Sequence, residues 1–259
     1  MGRRPVAQVI RRGQGLLGAL FRPMPRSERA ELLDADTHDP AELAANFRDI
    51  ERVNQLLGGT ATVLRHLSPL LDRVPTDRPA TILDLATGSA DIPLAISRRA
   101  GRRGRAVRIV ASDYADDILA LARDRVGANP DISLVRYDAR AVPLPDGVFD
   151  IVLCSLALHH FPPEDAVRVL REMGRLAGAG FILNDLRRGW LGWVAAWVAA
   201  RLTTRNRLTR NDAPLSVRRA YTVSEIDGLL RRAGIDDARI TTHRWFRLAA
   251  VCTGAGHDG

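Results

Sequence analysis

The sequence predicts an α/β protein built on a doubly wound, mostly parallel sheet of seven strands that closes in an antiparallel hairpin. Three observations carry this. From about residue 80 short β-rich runs alternate with helical windows, several of these runs are apolar at every position, and the last two runs are separated by a very short turn. Strands buried on both faces lose their polar alternation, and a parallel crossover needs about a dozen residues or more, which the last turn cannot supply.

The elements follow in order. Residues 1–26 are basic and broken by Pro5, Pro23 and Pro25, with Val6, Val9, Ile10, Leu16, Leu17, Leu20 and Phe21 as an amphipathic piece; they read as a mobile arm or a surface helix. From Ser27 to about Leu71 the pattern is helical. Asp39-Pro40 offers an N-cap and first turn, Leu43, Phe47, Ile50, Val53, Asn54 and Leu57 recur at three- and four-residue steps, and Gly58-Gly59 breaks the run before Val63, Leu64 and Leu67 begin another. After the linker Pro75 to Pro79, strands are expected at Thr81–Leu85, Val107–Ser112, Ile132–Tyr137, Val148–Ser155 and Gly180–Asn184, with helices at Ile92–Ala100, Asp116–Val126 and Pro163–Ala177 between them. The rhythm then lapses into Trp190, Trp193 and Trp197 and an arginine-rich stretch. A capped helix at Thr222–Ala233 and two strands, Ala238–Thr242 and Phe246–Cys252, finish the chain. The expected division is a basic arm (1–26), a helical lid (27–75) and an α/β domain (76–259) with a cap inserted at about 187–220.

Composition narrows the function. Of 259 residues 46% are hydrophobic and 26% charged, which excludes disordered and collagen-like classes, and two cysteines exclude a disulfide framework. The formal charge is +8, and all 38 basic residues are arginine. Without lysine there is neither a phosphate-binding P-loop nor Schiff-base chemistry. The charge suggests nucleic acid or an anionic membrane surface. Cys154 and Cys252 sit in apolar runs and read as buried thiols of a cytoplasmic protein. The most apolar stretch, Trp190 to Ala200, is short of the roughly 20 residues that span a bilayer. No secretion signal is evident, so peripheral membrane association is the most that is expected.

The strongest motif is Ile82-Leu83-Asp84-Leu85-Ala86-Thr87-Gly88-Ser89-Ala90-Asp91, a buried strand that runs into a small-residue loop and a helix. In a doubly wound sheet ligands bind beyond the carboxyl ends of the strands, where small residues let backbone approach. One glycine does not make a dinucleotide fingerprint, so a smaller ligand is expected. Asp113, ending the second strand, can accept both hydroxyls of a ribose, and Asp138-Ala139 beyond the third can meet an adenine amino group.

These pieces, with Pro145-Asp146-Gly147-Val148-Phe149-Asp150-Ile151-Val152 and Leu158-His159-His160-Phe161, resemble the class I S-adenosylmethionine-dependent methyltransferases. The chain is most similar to the small-molecule branch that includes the ubiquinone and menaquinone methyltransferases, from about Ala80 to Cys252. The resemblance implies a Rossmann-like fold and S-adenosylmethionine as cofactor. The set it implies for the cofactor is Asp84, Ala86, Thr87, Gly88, Asp91, Asp113, Tyr114, Asp138, Ala139 and Ser155. Asp84 and the backbone of Ala86 to Gly88 would hold the methionine end, Asp113 the ribose, and Asp138 and Ala139 the adenine. Ala90 stands where such families usually show a second glycine.

Methyl transfer to a hydroxyl needs a base, and His159 and His160 follow the fourth strand while Asp185 ends the fifth. Capping of the Pro162-Pro163 helix is the bland alternative for the pair. No further Cys or His cluster completes a zinc site there, so no metal is expected. The acceptor pocket should come from the helices of residues 27–71 and from the segment after Asp185. Trp190, Trp193 and Trp197 share a helical face, which is core or an apolar lid flanked by Arg187, Arg188, Arg201, Arg205, Arg207 and Arg210. Arg48, Asn54, Arg210 and Tyr221 are candidates for orienting the acceptor.

The expected activity is methylation of a hydroxyl on a hydrophobic small molecule, phenolic, quinone-type or polyketide, by a monomer or homodimer. Carbon methylation beside a phenol would use the same base. A nucleic-acid methyltransferase is disfavoured because Ser155-Leu156-Ala157-Leu158 stands where an Asn/Asp-Pro-Pro-Tyr-like motif would. A non-catalytic cofactor-binding protein is disfavoured by the intact Asp84, Asp113 and His159/His160/Asp185 set.

Overall fold

A computed structural model describes residues 24–35 and 37–254. The basic arm lies outside the described residues up to position 23. The strands are β1 (Ala80–Leu85), β2 (Val107–Asp113), β3 (Ile132–Arg136), β4 (Phe149–Ser155), β5 (Ala177–Leu186), β6 (Arg239–His243) and β7 (Arg247–Thr253). They form one sheet in the order β3-β2-β1-β4-β5-β7-β6. The first five are parallel, and β7 is antiparallel to both β5 and β6. The predicted doubly wound sheet with its closing hairpin is therefore present. Successive strands step outward to β3 and then return to β4 on the other side of β1, so the carboxyl ends of β1 and β4 flank the switch point where such sheets take ligands.

The helices are α1 (Pro40–Leu56), α2 (Gly59–Leu71), α3 (Asp91–Arg102), α4 (Asp116–Val126), α5 (Pro163–Leu176), α6 (Trp190–Thr203), α7 (Arg207–Arg219) and α8 (Val223–Arg232). One sheet face is covered by Val63, Leu67 and Leu70 of α2 with Ile92 and Ile96 of α3 and Ala122 and Val126 of α4. The other is covered by Val167, Leu170 and Met173 of α5 with Ile226 and Leu230 of α8. Strands covered on both faces explain why β1 is apolar save for Thr81 and Asp84. Local signals set the helix ends: Asp39 accepts from the Glu42 amide ahead of Pro40, Gly58 takes a left-handed φ of +77° between α1 and α2, and Thr222 and Glu225 form a capping box.

Four readings are corrected. Residues 27–39 do not continue the helical pattern: apart from a single 3₁₀ turn at Leu32–Asp34, the described stretch is irregular and reaches across α7. Its amides are held by tertiary partners, with Leu32 and Leu33 N donating to the Asp212 carboxylate and Ser27 N to Arg218 O. Cys154 is buried, but Cys252 is only half-buried and donates to Asp237. Arg188 is not a solvated flank. Its guanidinium reaches Met24 O, Ala220 O and Glu225. Finally, Trp190 and Trp197 are 39% and 41% exposed, so the tryptophan face is not core.

Candidate active site

The loop after β1 holds a run of left-handed residues: Ala86 at φ +52°, Gly88 at +57° and Ala90 at +59°. Alternating handedness turns successive amides inward, which suits an anionic group. The loop is fixed from both sides. Thr87 N donates to Ser112 O on β2, and Gly88 N to Asp113 Oδ2. From above, Phe47 of α1 packs on Gly88, and Arg125 bridges the Ser89 hydroxyl and Glu51. Ala90, where a second glycine was expected, takes the left-handed conformation nonetheless and is fully buried.

Asp84 and Asp113 project into this crevice. Asp84 is buried; its Oδ2 accepts from Thr87 Oγ1 at 2.6 Å, while Oδ1 has no partner. Burial raises its carboxyl to about 7, against the Thr87 bond that lowers it. An orphaned buried carboxylate oxygen beside an amide-lined loop fits the two charges of an amino-acid moiety, an ammonium at Asp84 and a carboxylate at the loop. Asp113 accepts from the amides of Gly88, Tyr114 and Ala115, which aims its carboxylate without exhausting its lone pairs. Burial pushes its pKa up.

The other predicted cofactor residues lie around this pair with different partners. Asp91 accepts from Asn54 Nδ2. Tyr114 is exposed, with Arg136 stacked on its ring. Asp138 is gripped by Arg140, whose hydrogen bonds hold its carboxyl below the usual range, so an adenine amino group would find a carboxylate that is already paired. Ala139 is buried, and the Ser155 hydroxyl accepts from Asn184 Nδ2.

A second cluster forms where the loop after β4 meets the end of β5. His159 is buried; its Nδ1 donates to Asp185 Oδ1 at 2.7 Å, and its backbone N–H to Asp185 Oδ2 at 3.0 Å. Burial raises the Asp185 carboxyl, but the His159 charge and hydrogen bonds from His159 and the Leu186 amide outweigh it and leave its pKa lowered. The His160 Nδ1 donates to Asp34 Oδ1 at 2.6 Å. Both rings thus have Nδ1 tied down and Nε2 directed elsewhere, toward Glu31, at 3.8 Å from His159 and 3.9 Å from His160. Burial raises the Glu31 carboxyl to about 7. Arg219 closes the cluster, donating to His159 O, His160 O and Asp34, and Arg26 donates to His159 O and Phe161 O.

The structure brings His159, His160 and Asp185 together as expected, and adds Glu31, Asp34, Arg26 and Arg219, which the sequence did not single out. Asp34-to-Glu31 reciprocity is a capping-box signal, but nothing local says that it faces a histidine. The four acceptor candidates, and Trp190 with them, are placed differently. Arg48 is exposed on α1. Asn54 is buried and bridges Asp91 and Arg247, a structural link. Tyr221 is buried and donates to Phe161 O beneath Arg26, which braces the histidine loop. Arg210 donates to Thr204 O and Arg201 O at the end of α6. Trp190 packs edge-on to Trp193 on the half-exposed face of α6.

Comparison with known proteins finds methyltransferases. A family model described as a methyltransferase domain matches residues 82–180. A demethylmenaquinone methyltransferase from Thermus thermophilus is 33% identical over 141 residues, 54% of this chain and 60% of that protein. A ubiquinone/menaquinone biosynthesis C-methyltransferase from Pseudomonas putida is 29% identical over 164 residues, 60% of each chain. The chain therefore spans less than two thirds of the length of these relatives. Among solved structures, a SAM-dependent methyltransferase from Aquifex aeolicus superposes with a TM-score of 0.56 at 15% identity, covering 83% of this chain and 98% of that one, a likeness of fold.

Proposed function

The chain belongs to the class I S-adenosylmethionine-dependent methyltransferases, and from that premise we propose that it methylates a hydroxyl of a hydrophobic small molecule, phenolic, quinone-type or polyketide, with His159 as general base. The observation that carries the reading is the His159–Asp185 pair. Its 2.7 Å bond fixes the tautomer with the proton on Nδ1 and leaves the Nε2 lone pair free. Bound S-adenosylmethionine supplies an electrophilic methyl group on a sulfonium. What the chain's own residues must add is position and proton removal. Asp84 and the left-handed loop receive the amino-acid end, Asp113 receives the ribose, and His159 Nε2 takes the acceptor proton while Asp185 stabilises the imidazolium. With the cofactor bound, its sulfonium–methyl bond would break as the acceptor oxygen takes the methyl group, with S-adenosylhomocysteine as the leaving group.

A second reading, methylation of a ring carbon beside a phenol or quinol, is favoured by the C-methyltransferase name of the Pseudomonas relative. It uses the same base, because removing the phenol proton makes the adjacent carbon nucleophilic. A hydrophobic acceptor would also be met at a lipid surface, and we place that contact on α6, where Leu191 and Leu202 are 76% and 80% exposed beside Arg201 and Arg205.

The experiment is a methylation assay over phenolic lipids, quinols and bulk tRNA, with products resolved by mass spectrometry. His159→Ala should lower kcat by about 10²-fold or more, in the range of acid–base contributions, and His160→Ala by less than about tenfold. Equal small losses would return both histidines to a capping role. Activity confined to tRNA would overturn the substrate class.

A further inference from the structure

We propose that Glu31, His159 and His160 form a binding site for a divalent transition-metal ion of the zinc class, and that this ion and the free base are alternative states of one site. One ligand atom from each residue can be chosen so that all three lie within 4.8 Å of one another. The approach is prepared on every side. His159 Nδ1 is held by Asp185 and His160 Nδ1 by Asp34, so both Nε2 atoms are the ones left to coordinate. A carboxylate behind each histidine is the outer arrangement that orients metal-bound imidazoles and raises their basicity.

The third ligand is independent of the histidines. Glu31 is 5% exposed, its Oε2 accepts from Ser216 Oγ, and its Oε1 is buried with no hydrogen-bond partner. A buried carboxylate oxygen left unpaired costs free energy, unless a cation completes it. The gaps from Glu31 to the two Nε2 atoms, 3.8 and 3.9 Å, are too long for hydrogen bonds. Those two gaps end on different Glu31 oxygens, Oε1 for His159 and Oε2 for His160, and a set with one atom from each residue lies within 4.8 Å. Ligands of a tetrahedral zinc, bonded at about 2.0–2.1 Å, lie about 3.3 Å apart, so the widest gap closes by up to about 1.5 Å. Charge favours a cation as well: three carboxylates, Glu31, Asp34 and Asp185, face two guanidiniums, Arg219, which sits 3.8 Å from Glu31 Oε1 and pairs with Asp34, and Arg26, which donates to His159 O and Phe161 O. Two imidazoles and one carboxylate suit zinc, iron(II) or cobalt(II) over magnesium or calcium, which prefer all-oxygen sites.

The inference rests on the proposed base in one respect. His159 Nε2 has a single lone pair, so a metal ion held there removes the proton acceptor and turnover stops. Ion binding itself requires neither cofactor nor acceptor.

The test uses the full chain stripped with a chelator, without cofactor or acceptor. Zinc is titrated against a chromophoric chelator, and cobalt(II) is followed by its visible d–d absorption. One equivalent should bind with a dissociation constant of about 1 μM or below, and Glu31→Gln and His160→Ala should each weaken it at least about tenfold, while Asp34→Asn, removing an outer partner, weakens it by about tenfold or more. S-adenosylhomocysteine binding, measured on the same variants, reports folding; if Glu31→Gln fails that control, His160→Ala decides. Stoichiometric zinc should lower wild-type turnover at least about tenfold, reversibly with chelator. Absence of zinc binding, or binding indifferent to His160→Ala, overturns the metal site. If zinc binds but His159→Ala leaves turnover intact, the metal site stands and the base falls.

Discussion

Phe47 lies directly over Gly88: a β-carbon added at residue 88 would stand 2.8 Å from Phe47 Cε1, closer than real carbons approach. Gly88 is also at φ +57°, a conformation that costs an L-residue about 1–2 kcal/mol. The helix α1 and the loop after β1 are therefore fitted to each other at this residue. Gly88→Ala should lower Tm by about 2–8 °C for a domain of this size, and should weaken S-adenosylhomocysteine binding, because relief of the clash moves either the ring or the loop. Calorimetry and thermal melting check both. Unchanged affinity would mean that the loop does not touch the cofactor.

With Asp84 receiving the cofactor's ammonium, as proposed, cofactor binding should depend on pH. Burial lifts its carboxyl to about 7, with the neighbouring Asp91 and Asp113 charges acting the same way and Thr87 opposing them. An ammonium at Oδ1 stabilises only the carboxylate, so binding must expel a proton wherever Asp84 starts protonated. Affinity for S-adenosylhomocysteine should rise from about pH 6 to about pH 8, approaching tenfold per unit below the folded pKa. Asp84→Asn should bind weakly at all pH values, with that slope gone. A wild-type affinity that is flat over this window would remove Asp84 from the ammonium site.

How much of this was legible in the sequence follows from range. Asp84, Gly88 and Asp113 sit at strand ends, where local apolar runs locate them, and the sheet placed them as expected. Ala90 was legible only as an oddity. Its left-handed φ needs an alanine to do what glycine does freely, and its buried methyl, about 0.8 kcal/mol of burial, partly offsets that strain. Glu31, Asp34 and Arg219 were not legible. The segment that carries the first two reads as helical yet folds as an irregular stretch with one 3₁₀ turn, and it reaches the histidines across more than a hundred residues of sequence. Asn54 stood out as a polar group on an apolar helix face, a candidate for orienting the acceptor, and its tie to Arg247, arriving from β7, could not be read locally.

Histidines 66 and 243 pair away from the site, with Nε2 atoms 3.1 Å apart, so one must donate to the other and both cannot be charged. Burial lowers both pKa values, and for His66 the His243 charge adds to this, with Arg65 and Arg239 also pressing; for His243 the second cause is Arg65. Thr241 Oγ1 also meets His243 Nε2. A depressed folded pKa means that the unfolded chain binds the extra proton first. Stability from this pair is present above about pH 6.5 and is lost as pH falls through the lowered values. The Tm drop between about pH 7.5 and about pH 5.5 should be smaller in His66→Gln than in the wild type. Equal drops would leave the pair without a role in acid stability.

The lipid contact on α6 is the last expectation. Leu191, Val194, Val198 and Leu202 fall at i, i+3, i+7 and i+11, one stripe along the helix, and all four are exposed. Arg201 stacks on Trp197, its guanidinium carbon 3.9 Å from the ring centroid, and Arg205, Arg207 and Arg210 are exposed beyond it. No helix among the described residues is long and apolar enough to cross a membrane, so a lipid contact made by the stripe would be interfacial. Each leucine fully inserted contributes about 1.5–3 kcal/mol, and each arginine near an anionic surface about 1 kcal/mol. Cosedimentation should therefore show binding to vesicles rich in anionic lipid, weaker binding to neutral ones, and weakening with salt. The double variant Leu191→Ser/Leu202→Ser should lose at least about tenfold in vesicle affinity while methylating a soluble short-chain acceptor as the wild type does. The two arms separate the forces: retained binding in the double variant would reduce the contact to arginine charge alone, and equal binding to neutral vesicles would remove the charge from it.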